Sequence, residues 1–477
     1  MEFEAVIGIE VHAELSTKTK IYCGCENSFG GEINTHCCPI CTGMPGTLPK
    51  LNGKVVEYAI KAGLAMNCGI EKNSKQDRKN YFYPDLPKAY QISQFDLPLC
   101  HDGYIDINVN GGKKRIGITR IHIEEDAGKS LHDVVPGKSL MDYNRCGVPL
   151  IEIVSEPDMR SVEEAGEYLE TLKSILKYIG VSDCKMQEGS LRCDVNVSVR
   201  PVGQKEYGIR SEMKNVNTFS GALRGIEYEI KRHTEILKAG GTITQETRRW
   251  DDAKGESLPL RSKEDAQDYR YFPEPDLMPI VTSDETIEEI RKTIPELPHV
   301  KRNRYVEEFA LPEYDASQLT EERSVAEFFE KTIKCGASPK TASNWIMGDI
   351  FRIMKEKYVG IDEINVTPEN IAAMIEQIDK GVISNTAAKQ VMEEMTKTGD
   401  APTDIIERLG LKQVNDENAI LDIIHTVFEA NPQSIADYKG GKDRAVGFLV
   451  GQVMRISKGK ANPAAVNKLI AEELKKL

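Results

Sequence analysis

Hydrophobic and polar residues alternate with a period of two in two segments of the chain, residues 6–12 and 191–199. This period predicts half-buried strands, because successive side chains of a strand point to opposite faces of a sheet. The polar positions are Glu10 and His12 in the first segment and Arg192, Asp194, Asn196 and Ser198 in the second. These residue types bind metals, phosphate and acyl groups, whereas an ordinary solvent face favours Lys, Glu and Thr. The two strands therefore predict a functional surface.

Residues 114–123 and 209–214 also have strand patterns, and Asn110-Gly111-Gly112 predicts a hairpin turn. Two helices interrupt this β-rich part. The first begins with a capping box at residues 161–164, continues with apolar residues on one face and ends at Gly180. The second helix covers residues 219–239.

The pattern becomes helical after the proline-rich segment 271–279. Helical periodicity is present over residues 284–294, 302–309, 323–334, 339–356, 367–379 and 384–397, and a smaller helical unit follows from about residue 402. We therefore expect an α+β chain with three domains. A β-rich domain with a mainly antiparallel sheet and flanking helices covers 1–292, an all-α domain covers 293–404, and a small all-α tail domain covers 405–477.

The length and net charge of the chain limit the kinds of function that it can have. The chain has 477 residues and a net charge of −13, which argues against nonspecific coating of nucleic acid. The last 40 residues are nevertheless basic, so the tail could contact a phosphate backbone; the alternative is a solvated lysine-rich helix. We find no apolar run of membrane-spanning length and no signal peptide at the N-terminus, and we expect a cytoplasmic protein.

Five of the 11 cysteines lie within 19 residues. Cys23 and Cys25 form a C-x-C pair, and Cys38 and Cys41 form a C-x-x-C pair that follows after 12 residues. This spacing predicts a structural zinc site with four thiolate ligands. Cys37 is an additional donor nearby, and a redox-active cluster is the alternative.

An oxygen-rich set of candidate ligands, with a single imidazole, suits Mg²⁺ or Mn²⁺ better than zinc. Its members are Glu10, His12, Glu124, Glu125 and Asp194, and Lys79, Arg192 and Lys214 supply positive charge. A divalent ion beside basic side chains is the arrangement that polarises a transferring phosphoryl group. The alternative is a satisfied polar network on an open sheet, although several inward polar groups without a ligand would be costly.

Two further segments bear on nucleotide binding. Residues 77–94 combine basic, aromatic and amide side chains on a proline-broken loop, which suits stacking on a base or ribose; a packed aromatic loop is the alternative. Residues 127–130 look like the end of a P-loop, but position 123 is Ile where the loop requires Gly. An ATP site in this chain must therefore be of a less common kind.

Several long motifs of the chain resemble one family, the B subunits of tRNA-dependent amidotransferases. The segments that carry the resemblance are Gly8–His12, DRKNYFYPD at 77–85, PKAYQISQ at 87–94, IHIEEDAGKS at 121–130, PLIEIVSEPD at 149–158, EGSLRCDVN at 188–196, DYRYFPEPD at 268–276, GFLVGQ at 447–452 and KANP at 460–463. The resemblance covers essentially the whole chain.

The resemblance implies a ligase that forms a carbon–nitrogen bond with glutamine as amido donor. Such an enzyme uses ATP and Mg²⁺ to phosphorylate the side-chain carboxylate of Glu-tRNA(Gln) or Asp-tRNA(Asn), and ammonia then displaces phosphate. It further implies a heterotrimer with two other proteins, an amidase (glutaminase) that supplies the ammonia and a small third protein. Misacylated tRNA is the implied nucleic-acid partner, contacted by the tail, with no role for DNA or a membrane.

The same resemblance leads to specific roles for the candidate residues. Glu10, His12 and Glu125 are expected to hold the divalent ion, with help from Glu124 and Asp194. Lys79, Arg192 and Lys214 are expected to contact phosphate, and Tyr83 and Ser155 to line the acyl pocket. A tRNA-binding scaffold with the chemistry in a partner is the main alternative. A free-standing zinc hydrolase is disfavoured because the cysteine site has no open ligand position.

Overall fold

The computed structural model describes residues 2–109, 111–216, 218–262, 268–413, 417–439, 444–457 and 461–476. The chain divides into two compact units, Met1–Pro298 and His299–Leu477. Among the described residues, no helix is both long and apolar enough to cross a membrane.

The first unit contains the strands. In chain order they are β1 (Phe3–Glu14), β2 (Gly69–Ile70), β3 (Asn73–Ser74), β4 (Asp77–Asn80), β5 (Tyr90–Ser93), β6 (Cys100–Val109), β7 (Gly112–Glu125), β8 (Lys129–Val135), β9 (Lys138–Asp142), β10 (Pro149–Ser155), β11 (Leu191–Pro201), β12 (Ser211–Val216), β13 (Glu246–Asp251), β14 (Glu256–Ser262), β15 (Phe272–Pro273) and β16 (Ile280–Val281). All four strands predicted from the sequence are present. Val109 pairs with Gly112, as the hairpin prediction requires, although Asn110 lies outside the described residues.

Nine strands form one sheet in the order β14-β13-β12-β11-β1-β10-β7-β6-β2. The pairings are antiparallel except for β12 with β13. One face of β1 is apolar, with Ile7, Ile9 and Val11 at most 1% exposed in the main core. Because β1 lies in the middle of the sheet, its opposite, polar face is flanked by strands on both sides.

In the described part of the first unit, four helices accompany the sheet: α1 (Gly53–Ala65), α2 (Val162–Tyr178), α3 (Phe219–Lys238) and α4 (Asp284–Lys292). Helix α2 begins as predicted, with the Ser161 side chain accepting a hydrogen bond from the Glu164 amide. Its apolar face, including Tyr168 and Leu172, packs into the main core. Helix α1 was not predicted, although Asn52 caps its start.

The described part of the second unit consists of helices and the loops that connect them. Its helices are α5 (Pro298–Phe309), α6 (Glu313–Leu319), α7 (Arg323–Lys334), α8 (Pro339–Trp345), α9 (Phe351–Lys357), α10 (Pro368–Asp379), α11 (Asn385–Thr398), α12 (Pro402–Arg408), α13 (Glu417–Ala430), α14 (Pro432–Lys439), α15 (Arg444–Ile456) and α16 (Pro463–Lys476). The helix predicted over 339–356 is divided by a π-helical turn, Ile346–Ile350. Separate apolar clusters form around α7, α10 and α11 and around α13, α15 and α16.

The predicted fold class is therefore confirmed: a large, mainly antiparallel sheet with flanking helices precedes a helical region. The division into domains at 292 and 404 stays a prediction.

Candidate active site and metal-binding clusters

Glu10 and His12 lie on the polar face of β1 and are opposed by polar residues of both neighbouring strands. His12 is opposite Glu152 of β10 and Arg192 of β11, and Glu10 is opposite Asp194 of β11. Two residues along a strand span about 7 Å. The face can therefore hold two adjacent but separate sites, one centred on each side chain.

The first cluster contains His12, Glu124 and Glu152, and one ligand atom from each lies within 4.8 Å of the others. His12 Nε2 is 3.4 Å from Glu152 Oε2 and 3.8 Å from Glu124 Oε1. His122, which is 2% exposed, faces the same two carboxylates at 3.4 and 3.7 Å. Two imidazoles thus share two buried carboxylates.

The electrostatics of this cluster follow from its burial and its opposite charges. Burial opposes protonation of His122, but the charges of Glu152 and Glu124 and the hydrogen bonds to them raise its pKa to about 9. Burial also disfavours the charged form of Glu152, yet the two histidines together hold its pKa well below the usual value. The histidines lower the pKa of Glu124 as well, so both carboxylates are kept ionised, which is the form that binds a metal ion.

The second cluster contains Glu10, Asp194 and Glu212, again with ligand atoms within 4.8 Å. Lys214 Nζ is 2.8 Å from Asp194 Oδ2 and 3.1 Å from Glu212 Oε1. Asn196 donates a hydrogen bond of 3.1 Å to Glu10 Oε1. Burial raises the pKa of Glu10, and the negative charges of Glu152 and Asp194 raise it further. A divalent cation would relieve this repulsion.

Lys79 of β4 extends its ammonium among aromatic rings beside the first cluster. Its Nζ is 5.0 Å from the Tyr269 ring centroid and 5.7 Å from that of Tyr81. Burial opposes the charge on Lys79, but Glu124 contributes most to a net rise in its pKa. Tyr83 is 54% exposed and packs edge-on against Tyr81. The loop predicted to be aromatic and basic thus places a cation next to the acidic cluster.

Arg192 and Ser155 already have partners within the protein. Arg192 Nη2 donates a hydrogen bond of 2.8 Å to Asp126 Oδ2, and Arg145 contacts the same carboxylate at 3.2 Å. The Ser155 hydroxyl accepts a hydrogen bond of 2.9 Å from the Ile9 amide. Both residues are near the predicted site, but these contacts fix their orientation.

Glu125 does not join Glu10 and His12, which corrects the predicted grouping. Its carboxylate forms an ion pair with Lys88 and accepts a hydrogen bond of 2.9 Å from the Ile92 amide. Adjacent residues of a strand point to opposite faces, so only one residue of the pair Glu124–Glu125 can face His12. The structure brings Glu124 to that face.

Sequence reasoning missed three residues of this surface: His122, Glu152 and Glu212. A signal was available for Glu152, which is the only charged residue in the apolar run Pro149–Val154. Glu212 and Lys214 alternate in a short strand, where they resemble an ordinary solvent face. Their position beside Asp194 depends on the pairing of β11 with β12.

The four predicted zinc ligands do come together. Cys41 Sγ is 3.9 Å from the sulfurs of Cys23 and Cys25 and 3.6 Å from that of Cys38. Four sulfurs at about 2.3 Å from a tetrahedral zinc ion would be about 3.8 Å apart. The buried Lys20 ammonium lies 3.9 Å from Cys41 Sγ and offsets thiolate charge. The cluster fits a structural zinc ion.

Comparisons of the sequence with known proteins identify the family of the chain. The sequence model of the GatB/GatE catalytic domain matches residues 5–288, and that of the GatB domain matches residues 327–474. The B subunit of the aspartyl/glutamyl-tRNA(Asn/Gln) amidotransferase from Caldicellulosiruptor bescii is 63% identical, with 100% of both chains covered. Proteins of the same name from Thermoanaerobacter sp. (60%) and Clostridium botulinum (58%) also match over 100% of both chains. The chain therefore belongs to the GatB family, as its motifs predicted.

Proposed function

We propose that this chain is the B subunit of a heterotrimeric tRNA-dependent amidotransferase and carries its ATP-dependent step. The substrates are Glu-tRNA(Gln), Asp-tRNA(Asn) or both, and the products are the corresponding Gln-tRNA and Asn-tRNA. The names of the full-length relatives support the reaction class. The single observation that supports a catalytic role is the placement of Glu10 and His12, each in its own acidic cluster on one sheet face.

The proposed reaction has two steps. A carboxylate does not react with ammonia, because an oxide ion would have to leave. Attack of a carboxylate oxygen on the γ-phosphorus of ATP releases ADP and forms an acyl phosphate. Ammonia then forms the carbon–nitrogen bond as inorganic phosphate leaves. Both steps need a site that stabilises phosphate charge beside the acyl group.

The residues on the polar face and beside it would divide this work. Lys79, held among aromatic rings, would contact phosphate. Lys214 would orient Asp194 and Glu212, since its ammonium contacts both carboxylates. Arg192 would act through Asp126, and Tyr83 and Ser155 would border the acyl group.

The two carboxylate clusters fit Mg²⁺ or Mn²⁺, because hard oxygen donors dominate both of them. The residues that would hold the ion are Glu10, Asp194 and Glu212 in one cluster and His12, Glu124 and Glu152 in the other. When bound, such an ion neutralises phosphate charge and orients the transferring group. Glu125 is left out of this set because it is paired with Lys88.

Zinc, the partners and the tail complete the proposal. We propose that Cys23, Cys25, Cys38 and Cys41 hold a structural Zn²⁺ that stiffens the loop after β1.

An amidase (glutaminase) partner would supply ammonia, and a small third protein would join the two larger chains. The basic residues of 405–477 would contact tRNA; three of them, Lys442, Lys458 and Lys460, lie outside the described residues. Because aminoacyl-tRNA is the substrate, we expect the complex in the cytoplasm.

The test uses the assembled complex with Glu-tRNA(Gln), ATP, Mg²⁺ and ammonium chloride, without glutamine. We expect Glu10→Gln to abolish formation of Gln-tRNA(Gln) while the glutaminase activity of the partner is retained. Glu288→Gln is the matched control, because it makes the same chemical change at a residue of α4 whose side chain is 57% exposed. Size-exclusion chromatography of the complexes checks that both variants assemble.

The main alternative is a tRNA-binding scaffold whose partner performs all of the chemistry. That alternative expects Glu10→Gln to leave product formation unchanged in an intact complex. Full activity of this variant would therefore refute the proposed catalytic role.

A further inference from the structure

Arg120 of β7 lies on the polar face of the sheet, in the same cross-strand row as Glu10. Arg120 is opposite Val154 of β10, and Val154 is in turn opposite Glu10 of β1. Residues directly opposite one another in paired strands project from the same face of a sheet. Neighbouring strands are about 4.8 Å apart, so the backbones at Arg120 and Glu10 are separated by about 10 Å. Arg120 therefore faces the region that the acidic clusters border.

The side chain of Arg120 has no acidic partner. In the described part of the chain, its guanidinium group forms no ion pair and no hydrogen bond, and its Nε is buried without an acceptor. The strand register explains this, because its cross-strand neighbours are His101 of β6 and Val154, and neither is acidic. Arg192 and Lys214, by contrast, each contact a carboxylate of the protein at 2.8 Å. A buried N–H group without an acceptor is costly, so Arg120 indicates a ligand that supplies one.

A second cation and a tyrosine hydroxyl border the same region. Lys79 is next to Tyr269, and the Tyr269 ring is in edge contact with Tyr271, with 6.1 Å between the ring centroids. Phe95 stacks on the Tyr271 ring at 4.4 Å and fixes its orientation. Burial raises the pKa of Tyr271, and the charges of Lys79 and Arg120 partly offset this rise. Both cations therefore act on the same corner of the polar face, which suits an anion.

The shape of the guanidinium group favours a carboxylate as the anion at Arg120. A guanidinium group is a planar fork that binds a carboxylate through two parallel hydrogen bonds, whereas an ammonium group is a point charge. Val154, between Arg120 and Glu10, offers an apolar surface to the methylene groups of an acidic side chain. The substrate of the proposed reaction carries such a side chain, the Glu or Asp that is attached to the tRNA.

We propose that Arg120 binds the side-chain carboxylate of the aminoacyl group before it is phosphorylated. The inference rests on the proposed function and adds to it a substrate-binding residue that distinguishes the misacylated tRNA from its amidated product. The product carries a neutral amide in place of the carboxylate, so its contact with Arg120 is weaker. The same residue thus favours binding of the substrate and release of the product.

Equilibrium binding to the assembled complex, without turnover, tests the proposal. The probes are Glu-tRNA(Gln) and Gln-tRNA(Gln), which differ only in the side-chain group, and ATP, whose phosphates are the other oxyanions of the reaction. We expect Arg120→Gln to raise the Kd for Glu-tRNA(Gln) at least about tenfold, the effect of one lost hydrogen bond between charged groups. The Kd values for Gln-tRNA(Gln) and for ATP should change less than about twofold, since neither ligand presents this carboxylate.

Arg115→Gln is the matched control, because it makes the same chemical change on the same strand at a side chain that is 59% exposed and paired with Asp106. It should leave all three dissociation constants unchanged. Arg120→Lys is a second variant that keeps the charge but loses the planar fork. We expect its Kd for Glu-tRNA(Gln) to lie between those of wild type and Arg120→Gln. Size-exclusion chromatography checks that each complex assembles.

An unchanged Kd for Glu-tRNA(Gln) in Arg120→Gln would overturn the proposal. An equal rise for both aminoacyl-tRNAs would also overturn it, because the contact would then not involve the carboxylate. A rise in the Kd for ATP alone would overturn it as well and assign Arg120 to a phosphate. A wild-type complex that makes no Gln-tRNA(Gln) would refute the proposed function, whereas the binding comparison needs no turnover and still decides the role of Arg120.

Discussion

Glu229 of α3 is the centre of a buried charge network, and its replacement by Gln should destabilise the first unit strongly. Glu229 and His233 are both 0% exposed. The carboxylate lies 2.7 Å from Arg232, 3.2 Å from Arg248 and 3.3 Å from His233, and it accepts a hydrogen bond from Ser257. The network links α3 to strands β13 and β14.

This network also reaches the candidate site. The Ser211 hydroxyl, at the start of β12, lies 2.9 Å from His233 Nε2 and accepts a hydrogen bond of 3.0 Å from Arg232. The next residue, Glu212, is a member of the second acidic cluster. Loss of the network should therefore disturb strand β12 and also lower the free energy of unfolding.

The loss of stability in Glu229→Gln follows from the ion pairs that a neutral Gln side chain cannot form. Breaking a buried ion pair by removing one charge costs about 3–5 kcal/mol. Glu246 still contacts Arg248 at 2.6 Å and Arg232 at 3.4 Å, so both guanidinium groups keep one acidic neighbour. We therefore expect the low end, about 3 kcal/mol, or a Tm lower by about 6 °C or more.

Urea unfolding of the full chain measures this difference. Trp250 and Trp345 are the two tryptophans, so a Trp345→Phe background makes fluorescence report on the first unit. Glu288→Gln is the matched control, since Glu288 also pairs with an arginine three residues later but is exposed. This control substitution should lower the free energy of unfolding by less than about 0.5 kcal/mol. A Glu229→Gln effect no larger than that of the control would refute the reasoning.

The pH dependence of the effect has a definite sign. Although burial opposes the charge of Glu229, its bonds to His233, Arg232 and Ser257 hold its pKa below the usual 4.5. A carboxyl with a lowered folded pKa contributes stability above its unfolded pKa and loses it as the pH falls through the folded value. The difference between wild type and Glu229→Gln should thus be full at neutral pH and shrink below about pH 4.5.

Three further predictions concern the candidate sites. Cys41→Ser should remove bound zinc, measured by metal analysis of the purified chain, whereas Cys37→Ser should keep it; equal zinc content would contradict the assigned ligands. Glu152→Gln should weaken Mn²⁺ binding at least about tenfold by titration, because it removes a charged ligand between two histidines; wild-type affinity would exclude this cluster as a metal site. Truncation after residue 404 should raise the KM for tRNA more than it lowers kcat in the intact complex, and an unchanged KM would argue against a tRNA-binding tail.

The local pattern of the sequence was enough to predict many elements. Period-two alternation predicted β1 and β11 and the polar face of each, because side-chain direction in a strand depends only on position along it. The spacing of Cys23, Cys25, Cys38 and Cys41 predicted a thiolate cluster for a similar reason, since short loops bring such pairs together. Helix α1 was missed even though Asn52 offered a capping signal.

Partners that are distant along the chain were decided only by the tertiary structure. The order of strands places β10 and β11 on either side of β1, and this brings Glu152 to His12 and Asp194 to Glu10. Strand pairing and register depend on packing between distant segments, which no local periodicity encodes. For the adjacent acids Glu124 and Glu125, alternation requires that only one face His12, but only the pairing of β7 with β10 determines which one.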